Sequence, residues 1–190
     1  MRPHMASQIE NRYIHRIDAK KSAGELRGQG IPAEKFVALF YDRIPGLKVR
    51  FSTREEDKGP EIGGRQTVDL VVSFSDGRLA FAPQVTSSIE KGVIEKKLKE
   101  IREHPFIRLN DMKPGDLAIP KVLISLDARQ VKIFFGDPNP EKYPELYLKV
   151  IDDHIRSLTF NLSQTQNPLE RNAVNKLIEI FKEERKKYIH

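Results

Sequence analysis

Cysteine is absent from all 190 residues, which excludes a thiolate nucleophile, a Cys-ligated zinc and any disulfide staple. A chain of this length buries enough apolar surface to hold a core without covalent help. The missing thiols fit a reducing, cytoplasmic location. No run approaches the roughly 18 consecutive apolar residues of a membrane span, and no signal peptide opens the chain, so a soluble protein without a membrane partner is expected. Histidines are few. Outside the first seven residues they stand at His15, His104, His154 and His190, with no spacing that sets two on one helix face as zinc ligands. Nucleotide-phosphate loops, nucleophile elbows, internal repeats and low-complexity linkers are all missing, and Gly63-Gly64 marks only a turn.

What is abundant is charge of both signs. Thirty-three Lys and Arg against 27 Asp and Glu give a formal charge of +6. The opening Met1-Arg-Pro-His-Met-Ala-Ser7 reads as a vector-derived leader, leaving residues 8–190 as a single globular domain. Removing Arg2 with that leader lowers the charge only from +6 to +5. The basic balance allows a polyanionic partner, with DNA ahead of RNA. A solvated surface accounts for the same residues.

The richest segment runs from Thr67 to Thr86, where Asp76-Gly77 separates two β-rich runs. Asp-Gly in that setting favours a two-residue type I′ turn. Counting outward pairs Ser75 with Arg78, Phe74 with Leu79 and Asp69 with Gln84. Directly opposed residues hold their Cβ atoms roughly 4.5–5.5 Å apart, so both side-chain oxygens could reach one hard cation at about 2.0–2.6 Å. Alternation gives a core face of Val68, Leu70, Val72, Phe74, Leu79, Phe81 and Val85. The opposite face is mixed, carrying Thr67, Asp69, Val71, Ser73, Ala80, Ala82, Gln84 and Thr86, and suits a lightly packed surface or the floor of a cleft. Pro83 cannot donate to a ladder and implies an edge or a bulge.

Around the hairpin, Ala33, Phe36, Val37, Phe40 and Ile44 predict a helix behind Pro32 that Pro45-Gly46 stops, followed by a strand near Leu47 to Ser52. Residues 8 to 30 read as an arm or short helix. Residues 53 to 66 read as a charged loop in which Glu55, Glu56, Asp57 and Glu61 could supply a carboxylate. Ser87 to Glu90 matches a capping box opening a helix to about Glu103, with Ile89, Val93, Ile94, Leu98 and Ile101 inward. Val122 to Leu126 predicts a buried central strand. Val131 to Phe135 fits strand or helix, and Tyr147 to Leu158 fits helix. Asn167-Pro168-Leu-Glu170 caps a last helix with Leu169, Ala173, Val174, Leu177, Ile178 and Phe181 inward. The fold class is α/β, with α+β open: a mixed central sheet with a hairpin and flanking helices.

This order, with an acid entering the second strand and a polar pair on the third, resembles the restriction-endonuclease-like superfamily of PD-(D/E)XK nucleases. By that resemblance Asp69 is the motif Asp, Gln84 stands at the acidic position and Thr86 at the lysine position. Glu34 on the first helix corresponds to the Glu that often joins the metal site. The implied cofactor is magnesium or manganese, held by Asp69, Gln84, Glu34 and the Val85 carbonyl.

The departures bear on chemistry. An amide oxygen still ligates a hard cation but brings no charge. A threonine hydroxyl cannot supply the positive charge that steadies a phosphoryl transition state. Some families move the lysine to the following helix, where Lys97 falls within the apolar arc. Two functions follow: a divergent metal-dependent nuclease using Asp69, Gln84, Thr86, Glu34 and Lys97, or a catalytically inactive module of that fold binding nucleic acid or protein. A homodimer or a protein partner completing the site is compatible with either.

Overall fold

The structure is a computed structural model describing residues 30–52, 68–88, 90–109 and 112–189. The leader, the arm over residues 8 to 29, the 53–66 loop and Ile89 lie outside the described residues. The elements are α1 (Gly30–Tyr41), β1 (Leu47–Phe51), β2 (Leu70–Phe74), β3 (Leu79–Thr86), α2 (Lys91–Glu103), β4 (Phe106–Ile107), β5 (Ile119–Ser125), α3 (Ala128–Gly136), a single 3₁₀ turn (Pro140–Lys142), α4 (Pro144–Gln164) and α5 (Pro168–Lys186). The five strands form one mixed sheet in the order β1-β2-β3-β5-β4. β1, β2 and β3 are antiparallel neighbours, and β3 runs parallel to β5. Joining two parallel strands requires a crossover, which α2 begins. No helix among the described residues is long and apolar enough to cross a membrane.

The hairpin forms, but through a different turn. A type I′ turn needs positive φ at both central residues, and no non-glycine residue among those described has one. Instead Gly77 N–H donates to the Phe74 carbonyl at 2.9 Å and Phe74 N–H to the Arg78 carbonyl at 2.8 Å, with Gly77 at φ +88°. That is a three-residue connection closed by a glycine bulge, which Asp76 braces by accepting from Arg78 N–H at 3.0 Å. Val72 lies opposite Phe81, as the counting predicts, but Ser73 lies opposite Leu79, one residue out of register. A one-residue slip reverses the faces beyond it. Leu79 therefore packs with Val71, Ala82 and Ile119 under the second face, while Ala80 joins Phe81 in the main core. Val68 also belongs to that second cluster, against the prediction that placed it beside Leu70.

Several helix ends differ from the sequence pattern. α1 stops at Tyr41, and Ile44 is buried through the succeeding turn rather than the helix. The Ser87–Glu90 capping box does not form: Glu90 is the N-cap in extended conformation without a side-chain cap bond, while Ser88 Oγ accepts from Glu90 N–H at 3.2 Å. Leu169 at 65% and Val93 at 36% exposure are outside the core, and Ala173 is exposed. Asn167 does cap α5, accepting from Leu169 N–H at 3.0 Å.

The main core lies between the first face of the sheet and helices α1, α3, α4 and α5. At its centre His154 is fully buried, with its Nε2 2.5 Å from Tyr41 Oη and its Nδ1 2.6 Å from the Val150 carbonyl. A carbonyl only accepts, so Nδ1 carries the proton and Nε2 accepts from the tyrosine. The ring stacks on Phe181 at 4.1 Å. Burial depresses the His154 pKa to about 3, partly opposed by the bond to Val150. The imidazole is a neutral structural group.

α4 also closes the open edge of β5. Pairing with β4 covers only Ile119 and Pro120, and beyond that point the edge would expose backbone groups. Asn161 Nδ2 donates to the Lys121 carbonyl at 2.7 Å, Ser157 Oγ accepts from Leu123 N–H at 3.2 Å, and Asp153 Oδ2 accepts from Ser125 N–H at 3.0 Å. Four helical residues rise about 6.0 Å and two strand residues about 6.6 Å. A polar side chain every fourth residue of α4 thus keeps pace with every second residue of β5.

Candidate functional site

β3 is the middle strand of the sheet and carries Pro83 at its centre. A proline there removes one donor toward a neighbour, and the structure shows how the adjoining groups are satisfied. Asp69, just before β2, gives its N–H to the Pro83 carbonyl at 3.0 Å, and its own carbonyl accepts from Ser52 N–H at 3.0 Å. Its carboxylate then takes the next β3 donor, Val85 N–H, at 2.6 Å from Oδ2. Asp69 therefore stands in for a ladder residue where regular pairing of β2 with β3 has ended. The two bonds bracket Gln84, the residue that counting from the turn set opposite Asp69.

Carboxylate oxygens carry more than one lone pair and can accept from more than one donor. In an antiparallel pair, one strand residue sends its N–H and C=O to the same side. The Val85 carbonyl therefore faces the same gap as the Asp69 carboxylate. Gln84 is 3% exposed on the second face. Thr86 is 6% exposed, and its Oγ1 accepts from Ser88 N–H at 3.3 Å, so its hydroxyl shapes the exit from β3. Val85 itself is buried on the main-core side.

Glu34 lies half-buried on α1 between buried Ala33 and Phe36. The N-terminal half of α1 packs on α3, with Phe36 against Phe134 at 4.8 Å and Lys35 over Phe135 at 5.2 Å. α3 follows the C-terminal end of β5, where Ser125 pairs with Thr86. α1 packs on the main-core face of the sheet, opposite the face that carries Gln84 and Thr86, so the structure does not bring Glu34 onto their face. Lys97 is half-buried on α2, the helix over the second face. Glu55, Glu56, Asp57 and Glu61 lie outside the described residues.

The donor chemistry of this corner is oxygen throughout: one carboxylate, one amide and one strand carbonyl. That set fits a hard divalent cation of the magnesium or manganese type better than a soft one. It supplies little charge. Among the described residues no group of three or more His, Asp or Glu stands together in a metal-holding arrangement.

One charged residue of this face escaped the sequence reading. Lys121 on β5 is fully buried, and its Nζ has no hydrogen-bond partner among the described residues. The signal was a lysine directly before the apolar run Val122 to Leu126, which the strand extends to include. Burial pushes its pKa down, while the Glu100 carboxylate on α2 pushes it back up.

Compared with family models, curated proteins and solved structures, the chain has no match.

Proposed function

We propose that this protein is a divergent metal-dependent nuclease of the restriction-endonuclease-like type, hydrolysing phosphodiesters in nucleic acid, with DNA ahead of RNA. The observation that carries the reading is the bracket formed by Asp69 around Gln84, an acid at the entry of β2 against an amide on β3. The element order supports it: helix, three antiparallel strands, helix, the two-residue β4, then a strand parallel to the third. The net basic charge suits a polyanionic substrate.

In this reading Asp69, the Gln84 amide oxygen, the Val85 carbonyl and Glu34 hold a magnesium or manganese ion. The bound cation supplies an activated water and charge neutralisation at the phosphate. The chain's own contribution is to fix the carboxylate, because the Val85 N–H and the strand backbone hold Asp69 in one orientation. With a neutral amide and a backbone carbonyl beside its carboxylates, this donor set implies weaker metal affinity than one with an acid in place of Gln84.

One observation favours a second reading, a binding module of the same fold without catalysis. Thr86 stands at the lysine position of the resemblance, and its hydroxyl accepts from Ser88 N–H. The two readings separate in one experiment. Circular plasmid, linear duplex and single strands are incubated with magnesium or manganese beside Asp69→Asn, whose amide carbonyl can still accept from Val85 N–H. Cleavage lost in the variant is the nuclease result. Salt-sensitive binding without cleavage is the module result, and no binding at low salt removes nucleic acid from both.

A further inference from the structure

Leu123 is 5% exposed yet belongs to neither hydrophobic cluster. Side chains alternate along β5, so Val122 and Ile124 enter the main core while Leu123 turns to the second face. There it lines a cleft of about 490 Å³ between α2, β5 and α4. Ile94 and Leu98 stand four residues apart on α2, hence on one side of it, and line the same cleft half-buried. Of the 13 residues of α2 only Ile101 is buried. The aliphatic side of this helix thus faces a cavity rather than a packed core.

The topology explains where the cavity lies. β3 and β5 are parallel neighbours, and the helices that follow them part company. α2 covers the second face, whereas α3 sends Val131 and Phe134 into the main core. Adjacent parallel strands whose helices leave to opposite faces open a crevice at their carboxyl ends, the place where α/β sheets bind ligands. Ser125, the last residue of β5, and Asp127, the N-cap of α3, both line the cleft. Its volume lies within the roughly 300–1,000 Å³ of small-molecule sites.

The charges in the lining select the ligand. Glu145, Lys149, Asp153, Arg156 and Ser157 form one polar stripe of α4 along the cleft. Both cations are already matched, because Lys149 and Arg156 pair with Asp153. Asp127 and Glu145 have no cationic partner among the described residues, and Asp127 only accepts from Arg129 N–H, through Oδ1 at 2.8 Å. The ladder orders these groups. Ser157 stands by Leu123 and Asp153 by Ser125, so Glu145, about 12 Å along α4 from Asp153, lies beyond the end of β5, where Asp127 opens α3. Three carboxylates against two matched cations disfavour an anionic ligand, and the two unmatched carboxylates favour an ammonium.

We propose that this cleft binds an organic cation, a primary amine carried on an apolar body, with its hydrocarbon against Ile94, Leu98 and Leu123 and its ammonium at Asp127 and Glu145. Removal of apolar surface from water supplies the affinity, and the charge pair supplies the selectivity. The site is separate from the Asp69 corner, since none of Asp69, Gln84, Val85 and Glu34 lines it.

The test titrates the full chain, ¹³C-labelled at its Ile and Leu methyls, with phenethylamine, phenethyl alcohol and phenylacetate, which share an apolar body and differ in charge. The amine shifts the methyls of Ile94, Leu98 and Leu123 saturably and binds more tightly than the alcohol, which binds more tightly than the acid. Asp127→Asn combined with Glu145→Gln removes both charges and keeps an N-cap on α3. This double variant binds the amine about tenfold more weakly and the alcohol within about twofold of wild type. Should it fail to fold, Glu145→Gln alone, at an exposed position, weakens the amine about threefold. Alcohol or acid binding as tightly as the amine overturns the proposal. So does unchanged amine affinity in whichever variant folds, a saturable response confined to methyls elsewhere, or no saturable response to the amine at all.

Discussion

Acidification from pH 7 to 4.5 should destabilise the protein through His154 specifically. The ring is fully buried, bonded through Nδ1–H to the Val150 carbonyl and through Nε2 to Tyr41, and its pKa lies at about 3 against an ordinary 6.5. A folded-state pKa below the unfolded value means that the unfolded chain takes up the proton first. The stability that the neutral ring contributes is complete above about pH 6.5, declines as the pH falls, and is fully lost near pH 3. Each unit within that window costs about 1.4 kcal/mol, so descent to pH 4.5 removes about 2–3 kcal/mol. The assay is urea unfolding at intervals from pH 7.5 to 4.5, beside His154→Gln, whose amide offers Tyr41 a partner and does not titrate. The variant should be less stable at neutral pH and show a shallower pH dependence, the difference in slope approaching about 1.4 kcal/mol per unit. Equal slopes in the two proteins would refute the reasoning.

The ladder between α4 and β5 should grade by charge. Ser157→Ala strands the Leu123 N–H and should cost about 1–2 kcal/mol in urea unfolding, while Asp153→Ala removes a charged acceptor and strands the Ser125 N–H, costing about 2–3 kcal/mol. Similar small effects from both would mean that water replaces the side chains. At Gly77, φ +88° with nothing within 4 Å of a built Cβ makes the cost of Gly77→Ala purely a backbone one, about 1 kcal/mol. Gly92→Ala, equally open and helical, should stabilise by up to about 1 kcal/mol. Thermal or urea denaturation of the pair tests the sign.

Strong period and punctuation made much of the fold legible. Leu47 to Phe51, the hairpin strands, the run from Val122 and the Asn167-Pro168 cap each combine an apolar pattern with a local stop or start. Val131 to Phe135 could not be assigned because five residues fit either period, and the helix declares itself only through the Asp127 cap, which accepts from Arg129 N–H at 2.8 Å. The two residues of β4 have no period at all. Asp153, Ser157 and Asn161 stand every fourth residue in plain view, yet their meaning depends on a strand edge brought up by the topology. The hairpin count paired Val72 with Phe81 and put Asp69 across from Gln84, but it missed the glycine bulge because Asp-Gly serves more than one turn. What Asp69 does for Val85 was hidden too, since it follows from a proline in a middle strand rather than an edge.

The most direct test of the candidate cation site is a manganese titration of wild type, Asp69→Asn and Asp69→Ala, followed by melting temperature. A cation bound only by the folded state stabilises by mass action, about 2.7 kcal/mol at a hundred times its Kd. Asp69→Ala also loses the acceptor for Val85 N–H, so it melts lower without any metal, whereas Asp69→Asn retains an acceptor and isolates the charge. The account predicts a wild-type melting temperature that climbs with manganese, an Asp69→Asn protein that starts near the wild type and does not climb, and an Asp69→Ala protein that starts lower and does not climb. Equal manganese shifts in all three would contradict it.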